Sequence, residues 1–150
     1  MSNYAYVATR ARSRRSRLLP AEAYNQLLNL EHAEIARYIQ DLEYRREIDR
    51  YGSTLSGADL IETALVDNLA KDIGDFLSFS KGKLRDILHV YAEKYRVDNL
   101  KNIIRGINQN MDRQNLERLV CPINDSDKDL YSKLYDCLLY TSPSPRDRYI

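Results

Sequence analysis

Residues 58–79 read ADLIETALVDNLAKDIGDFLSF. Ile61, Leu65, Leu69, Ile73, Phe76 and Leu77 recur every three or four residues, the period of one face of an α-helix. No proline interrupts the run, and Ser56 stands before it as a candidate N-cap. The pattern predicts one long amphipathic helix, and the same period returns on both sides. Upstream, Tyr4, Val7, Ala11 and Leu18 suggest a first helix over about Asn3–Leu18, with Asn3 as its cap. Pro20 stops it and suits the first turn of a short helix with Tyr24, Leu27 and Leu28 as its apolar face. Ile35, Tyr38, Ile39 and Leu42 mark a third helix from about Glu31. Tyr44, Ile48 and Tyr51 mark a fourth, with Gly52 as a left-handed stop.

Downstream of Lys81-Gly82, Leu84, Ile87, Leu88 and Tyr91 begin another helix. Asp98 reads as a cap for a continuation over Asn99–Arg105 that ends at Gly106. Leu116, Leu119 and Val120 give a short helix closed by Pro122. Asn124-Asp125-Ser126-Asp127 is a cap cluster ahead of Leu130, Leu134 and Tyr135. No run alternates with the period of two that a half-buried strand requires. The fold class expected is therefore all-α, an orthogonal helical bundle. The stripes change face between helices, which disfavours a long coiled coil, and no tandem repeat of solenoid period is visible.

Composition agrees. The chain has 150 residues with only 5 glycines and 4 prolines, too few chain breakers for a loop-rich protein. Hydrophobic residues at 43% and charged residues at 30% suit a folded soluble chain. No uncharged run approaches the roughly 20 apolar residues of a membrane span. The N-terminus shows no secretory apolar core. The net charge of +1 conceals an asymmetry: Arg10, Arg12, Arg14, Arg15 and Arg17 lie among the first twenty residues with no acid beside them. Such a basic end suits an anionic partner, nucleic acid or lipid, or else ion pairs with acids later in the chain.

The sequence offers little chemistry. His32 and His89 are the only histidines, and neither sits in a metalloprotease arrangement. Two cysteines, Cys121 and Cys137, with those histidines match no zinc spacing. Cys121 reads as a small buried apolar residue and His89 as a packed or edge residue. Gly82 and Gly106 are isolated, so no phosphate loop exists. The 12 tyrosines against 2 phenylalanines suit half-exposed helix surfaces. Tyr44 and Tyr51 beside Arg45, Arg46 and Arg50 are either a binding surface or ordinary packing. The residues alone point to a helical interaction domain with no catalytic, metal-binding or cofactor-binding residues.

Three stretches taken in order resemble a known family. They are Tyr4-Ala5-Tyr6-Val7-Ala8-Thr9-Arg10-Ala11-Arg12 with Ser16-Arg17-Leu18-Leu19, then Leu60–Leu69, then Tyr95–Gly106, where Asp98 stands directly beside Asn99. Together they resemble the C subunit of archaeal and bacterial V-type (A-type) ATP synthases, the family that also holds the d subunit of vacuolar ATPases, over about Asn3–Asp136. The resemblance implies an all-helical funnel of three related units, of which this chain holds the first and part of the second. It implies a non-catalytic central-stalk rotor subunit of a proton- or sodium-translocating ATP synthase. Such a protein is peripheral on the cytoplasmic face of the membrane and couples the central shaft to the membrane rotor ring. It implies no nucleotide, no other cofactor and no nucleic acid. On that reading Arg10, Arg12, Arg14, Arg15 and Arg17 form a candidate interface through charge-assisted hydrogen bonds. A truncated second unit would leave Leu130 and Leu134 uncovered.

Residues 137–150 depart from this pattern. Cys137–Asp147 resembles, position for position, the read-through translation of a transposon-based sequencing-library adapter. The expected division is therefore 1–136 as the N-terminal part of the ATP synthase C subunit and 137–150 as adapter translation, disordered and without function. Without that tail one cysteine remains and the prolines reduce to Pro20 and Pro122. Two other readings compete. A small helical RNA-binding module using the Arg-rich first helix would bind with strong salt dependence. An enzyme built on scattered carboxylates lacks a recognisable constellation.

Overall fold

The computed structural model describes residues 3–141. Among these residues there are helices and no strand. The helices are α1 (Tyr4–Arg15), α2 (Ala21–Leu27), α3 (His32–Gln40), α4 (Arg45–Tyr51), α5 (Gly57–Phe79), α6 (Lys83–Asn108), α7 (Arg113–Arg118) and α8 (Asp125–Thr141). The chain divides into two compact units, residues 1–87 and 88–150, with the boundary inside α6.

The first unit is built on α3, α4 and α5. Ala36, Ile39, Ile48, Leu60 and Ala64 form its core, covered by half-buried Ile35, Tyr38, Tyr44, Tyr51, Leu55 and Ile61. A capping box starts α3: the Glu31 carboxylate accepts from the N3 backbone, and Glu34 accepts from the Glu31 N–H at 3.0 Å. The buried face of α5 differs from the predicted stripe. It carries Leu60, Ala64, Ala70, Ile73 and Leu77, while Leu65 and Leu69 are substantially exposed. Close helix packing selects alanine at the contact, and a count of large apolar residues passes over it. In α1 the predicted Val7 is the buried residue, and in α2 the buried residue is Ala23 rather than the predicted Tyr24. Val7 and Ala23 are buried, whereas Tyr4, Leu18, Tyr24 and Leu28 are exposed.

Asn3 precedes α1 as expected, but its side chain makes no cap hydrogen bond. Its Nδ2 instead donates to the Phe79 carbonyl at 2.8 Å, and its Oδ1 accepts from the Lys81 N–H at 3.0 Å. The carboxamide thus ties the start of α1 to the end of α5. Gly52 follows α4 at φ −64°, an ordinary right-handed residue rather than a left-handed stop.

In the second unit α6 runs unbroken through Asp98, which pairs with Lys101 inside the helix at 3.3 Å. The predicted cap and restart do not occur. Gly106 does not end the helix either. It is buried within the last turns of α6, where a Cβ would collide with Leu116 Cδ2 and lie 3.2 Å from Met111 Sδ. The left-handed residue beyond α6 is Asn110, at φ 56°, and Met111 N–H returns to the Gly106 carbonyl at 3.0 Å. Ile103, Ile107, Leu116, Tyr131 and Tyr135 form the core, with Leu100, Met111, Val120 and Leu134 packed on it. Leu134 is therefore covered within this unit, while Leu130 stays about half exposed. The backbone of α8 continues helical to Thr141, so residues 137–141 are helical where disorder is expected. Extending a helix already nucleated at a cap adds one hydrogen bond per residue fixed. Residues 142–150, the rest of that expected tail, lie outside the described residues.

Two substitutions test this packing. Gly106→Ala forces a methyl into the fully buried Leu116 side chain and should cost about 1–3 kcal/mol in urea denaturation. Burial pushes the Tyr135 phenol from 10.0 up to about 12, while the unfolded chain ionises at the ordinary value. Stability is then full below pH 10.0 and falls as pH rises towards about 12. Tyr135→Phe should make that alkaline loss shallower, read by circular dichroism alongside phenolate absorbance.

Candidate functional site

The five arginines of the first segment do not act as one patch. Arg10, Arg14 and Arg17 stand at i, i+4 and i+7, and each is engaged within the first unit. The Arg10 guanidinium lies over the Tyr6 and Phe79 rings, 5.2 and 5.1 Å from their centroids. These rings meet edge to face at 5.9 Å. Arg14 spreads its fork across two carboxylates one turn apart on α5, with Nη1 on Asp72 and Nη2 on Asp75 Oδ2 at 2.6 Å. Its planar face sits over Phe76 at 5.2 Å. Arg17 pairs with Glu43 at 3.1 Å.

Arg14, Arg17, Glu43, Lys71, Asp72 and Asp75 line an open cleft of about 220 Å³. Its charges balance, so it has no strong preference for an anion or a cation. Burial raises the Asp72 carboxyl above 3.8 even though Arg14 pulls the other way. Burial and the neighbouring Asp75 together offset the pull of Arg14, so the pair fixes position more than it stabilises. Nearby Glu47 is almost wholly buried, with Oε1 3.9 Å from Lys71 Nζ and Oε2 accepting no hydrogen bond among the described residues.

Arg12 and Arg15 are different. Both are exposed, three residues apart on one face of α1, and neither side chain makes an ion pair among the described residues. Arg10 is also exposed and meets no acid, but its guanidinium is committed to two rings; Arg12 and Arg15 alone of the five make neither an ion pair nor a ring contact among the described residues. In the other basic cluster Arg45 and Arg50 each meet an acid, while Arg46 is exposed and makes no ion pair among the described residues. Arg50 pairs with Asp67 at 3.3 Å and covers the Tyr51 ring, Arg45 approaches Asp41 at 3.6 Å, and Tyr44 and Tyr51 pack on the core.

Two residues outside the candidate set organise the second unit. Asn99 is buried in α6. Its Nδ2 donates to the Cys121 carbonyl at 2.8 Å and to Tyr131 Oη at 3.2 Å, and its Oδ1 accepts from the Cys121 N–H at 3.0 Å. Arg96 joins Glu93 on its own helix and Asp127 at 3.0 Å, and the buried Asp127 also accepts from Ile123 N–H at 3.3 Å. An asparagine inside a 26-residue helix was the available sequence signal, because that residue type prefers caps and turns unless its side chain has a buried task. Cys121 is buried, as expected of a small apolar residue. Among the described residues no group of His, Cys, Asp and Glu side chains is placed to hold a metal, and no helix is long and apolar enough to cross a membrane.

The fold and this site define an all-helical scaffold in which ion pairs such as Arg14 with Asp72 and Arg96 with Asp127 tie helix to helix, and in which Arg12 and Arg15 lie exposed on α1. The chain belongs to the ATP synthase (C/AC39) subunit family, whose family model matches residues 7–142. It is similar to the C subunit of the A-type ATP synthase of Haloferax volcanii, 40% identical over 135 residues, which is 90% of this chain and 39% of that protein. The C subunit of Archaeoglobus fulgidus is 36% identical over 131 residues, 87% of this chain and 38% of that protein. That of Methanosarcina mazei is 41% identical over 105 residues, 70% of this chain and 29% of that protein. The chain thus spans well under half the length of these relatives. No solved structure gives a significant match. None of these relatives supports the RNA-binding alternative.

Two arginines on one helix should behave oppositely. Arg14→Ala removes both α5 carboxylate bonds and should cost about 1 kcal/mol, less at high salt. Arg12→Ala should change stability by less than about 0.5 kcal/mol. Urea denaturation at two salt concentrations measures both.

Proposed function

We propose that this chain forms part of a non-catalytic central-stalk subunit of a rotary ATP synthase, coupling the central shaft to the membrane rotor ring. Membership of the ATP synthase (C/AC39) subunit family over residues 7–142 carries the proposal. The helical, internally ion-paired body supports it, since a coupling part needs stiffness and polar contacts. On this reading the protein is peripheral, at the cytoplasmic face, and proton or sodium passage and ATP chemistry belong to its partners.

Within the candidate interface Arg10, Arg12, Arg14, Arg15 and Arg17, the structure favours a division of labour. Arg10, Arg14 and Arg17 set the position of α1, and Arg12 and Arg15 offer their guanidinium forks to carboxylates of a neighbouring subunit. The reading of Cys137–Asp147 as translated adapter rests on the likeness of those residues, and the nucleotide sequence beneath them decides it.

Arg12→Glu with Arg15→Glu should weaken association with the rotor ring or shaft by about tenfold or more at low salt, with little change at high salt. Unchanged binding of the double variant at low salt would remove Arg12 and Arg15 from the interface. Failure of the unaltered chain to associate with any ATP synthase subunit would count against the coupling role itself.

A further inference from the structure

α6 has two faces. Ala92, Asn99, Ile103 and Ile107 are buried on one of them, and Ile103 and Ile107 belong to the second unit's core. On the opposite side Val90, Lys94, Val97, Lys101 and Ile104 follow one another at intervals of four, three, four and three residues. That spacing is the 3.5-residue period of a helix–helix seam, sustained over roughly 20 Å of helix. Val90 is 75% exposed, Val97 46% and Ile104 54%. Single exposed aliphatic residues are ordinary, but three on one straight seam of one helix are not scattered.

Charge identifies the occupant. Lys94 and Arg105 make no ion pair among the described residues, while the nearby acids are committed elsewhere. Asp98 holds Lys101 at 3.3 Å, and Glu93 holds Arg96. The seam therefore alternates aliphatic residues with lysines, and unpaired Lys94, with Arg105 next to Ile104, leaves it positive in balance. A second copy packed here side by side would set lysine against lysine, a repulsion that an acidic partner converts to attraction. The Asn99 clasp on Cys121 fixes the rotation of α6, so the seam is presented ready-made.

We propose that Val90, Lys94, Val97, Lys101 and Ile104 dock an acidic amphipathic α-helix of another polypeptide, with apolar residues at heptad spacing and carboxylates beside them. This surface belongs to the second unit, whereas Arg12 and Arg15 belong to the first, and its occupancy does not depend on the coupling role. The test uses the full chain and two fluorescent three-heptad peptides with leucine at the seam positions, one flanked by glutamate and one by lysine. Fluorescence anisotropy should show the glutamate peptide binding at least about tenfold tighter than the lysine peptide, and more weakly as salt rises. Val97→Asp should abolish that binding with the thermal melt unchanged, and Lys94→Glu with Lys101→Glu should reverse the peptide preference. Equal affinity for the two peptides, or binding indifferent to Val97→Asp, overturns the proposal. So does a chain dimer in sedimentation that Val97→Asp dissociates, because the seam then belongs to a second copy.

Discussion

The second unit depends on one carboxamide. Asn99 reaches from the middle of α6 to the peptide of Cys121 and satisfies both its N–H and its C=O. That segment, between α7 and α8, is irregular and buried, so it has no ladder or helix to satisfy its backbone. Each orphaned group would cost about 1–3 kcal/mol. An aspartate in this place could accept from the N–H but would set a carboxylate against the carbonyl, and a leucine would satisfy neither. Asn3 repeats the device in the first unit, closing on Phe79 and Lys81. Both contacts join residues remote in sequence, and both need a donor and an acceptor on one short side chain.

Around these clasps the charged residues position helices. Arg14 makes two carboxylate bonds and lies on a ring, yet Asp72 is still held more neutral than it would be in water. The attraction of the guanidinium is offset by burial and by the neighbouring Asp75. What the arrangement secures is register: a fork that spans one turn of α5 fits there and at no intermediate position along that helix. Arg96 links its own helix, through Glu93, to Asp127 of α8.

Fold class was legible because few chain breakers and a recurrent 3.6-residue period point to helices, and the described residues hold helices and no strand. Which face each helix buries was not. Large apolar residues mark a stripe, but Ala23, Ala36, Ala64, Ala70 and Ala92 occupy buried contact positions and carry too little hydrophobicity to be counted. Gly106 misled for the same reason. It reads as a stop, and its actual role is to let Leu116 approach. The arginine cluster was visible as a charge imbalance, while its division was hidden in its spacing. Arg10 and Arg14 fall on one side of α1, with Arg17 just beyond its end, and Arg12 and Arg15 fall on another. Acids eligible to pair with the first set lie at 43, 72 and 75, separations that no local pattern reports.

A part that transmits force between partners must keep its own helices from sliding under load. Apolar contacts resist separation well but sliding poorly, since a leucine moved along a smooth stripe finds similar neighbours. Two-point polar contacts behave otherwise, because a shift of one residue breaks both bonds together. Asn3, Arg14 and Asn99 each make such a contact between segments remote in sequence. That distribution suits the proposed coupling role better than a larger apolar core would. It also accounts for a chain so rich in charge whose net charge is almost nil.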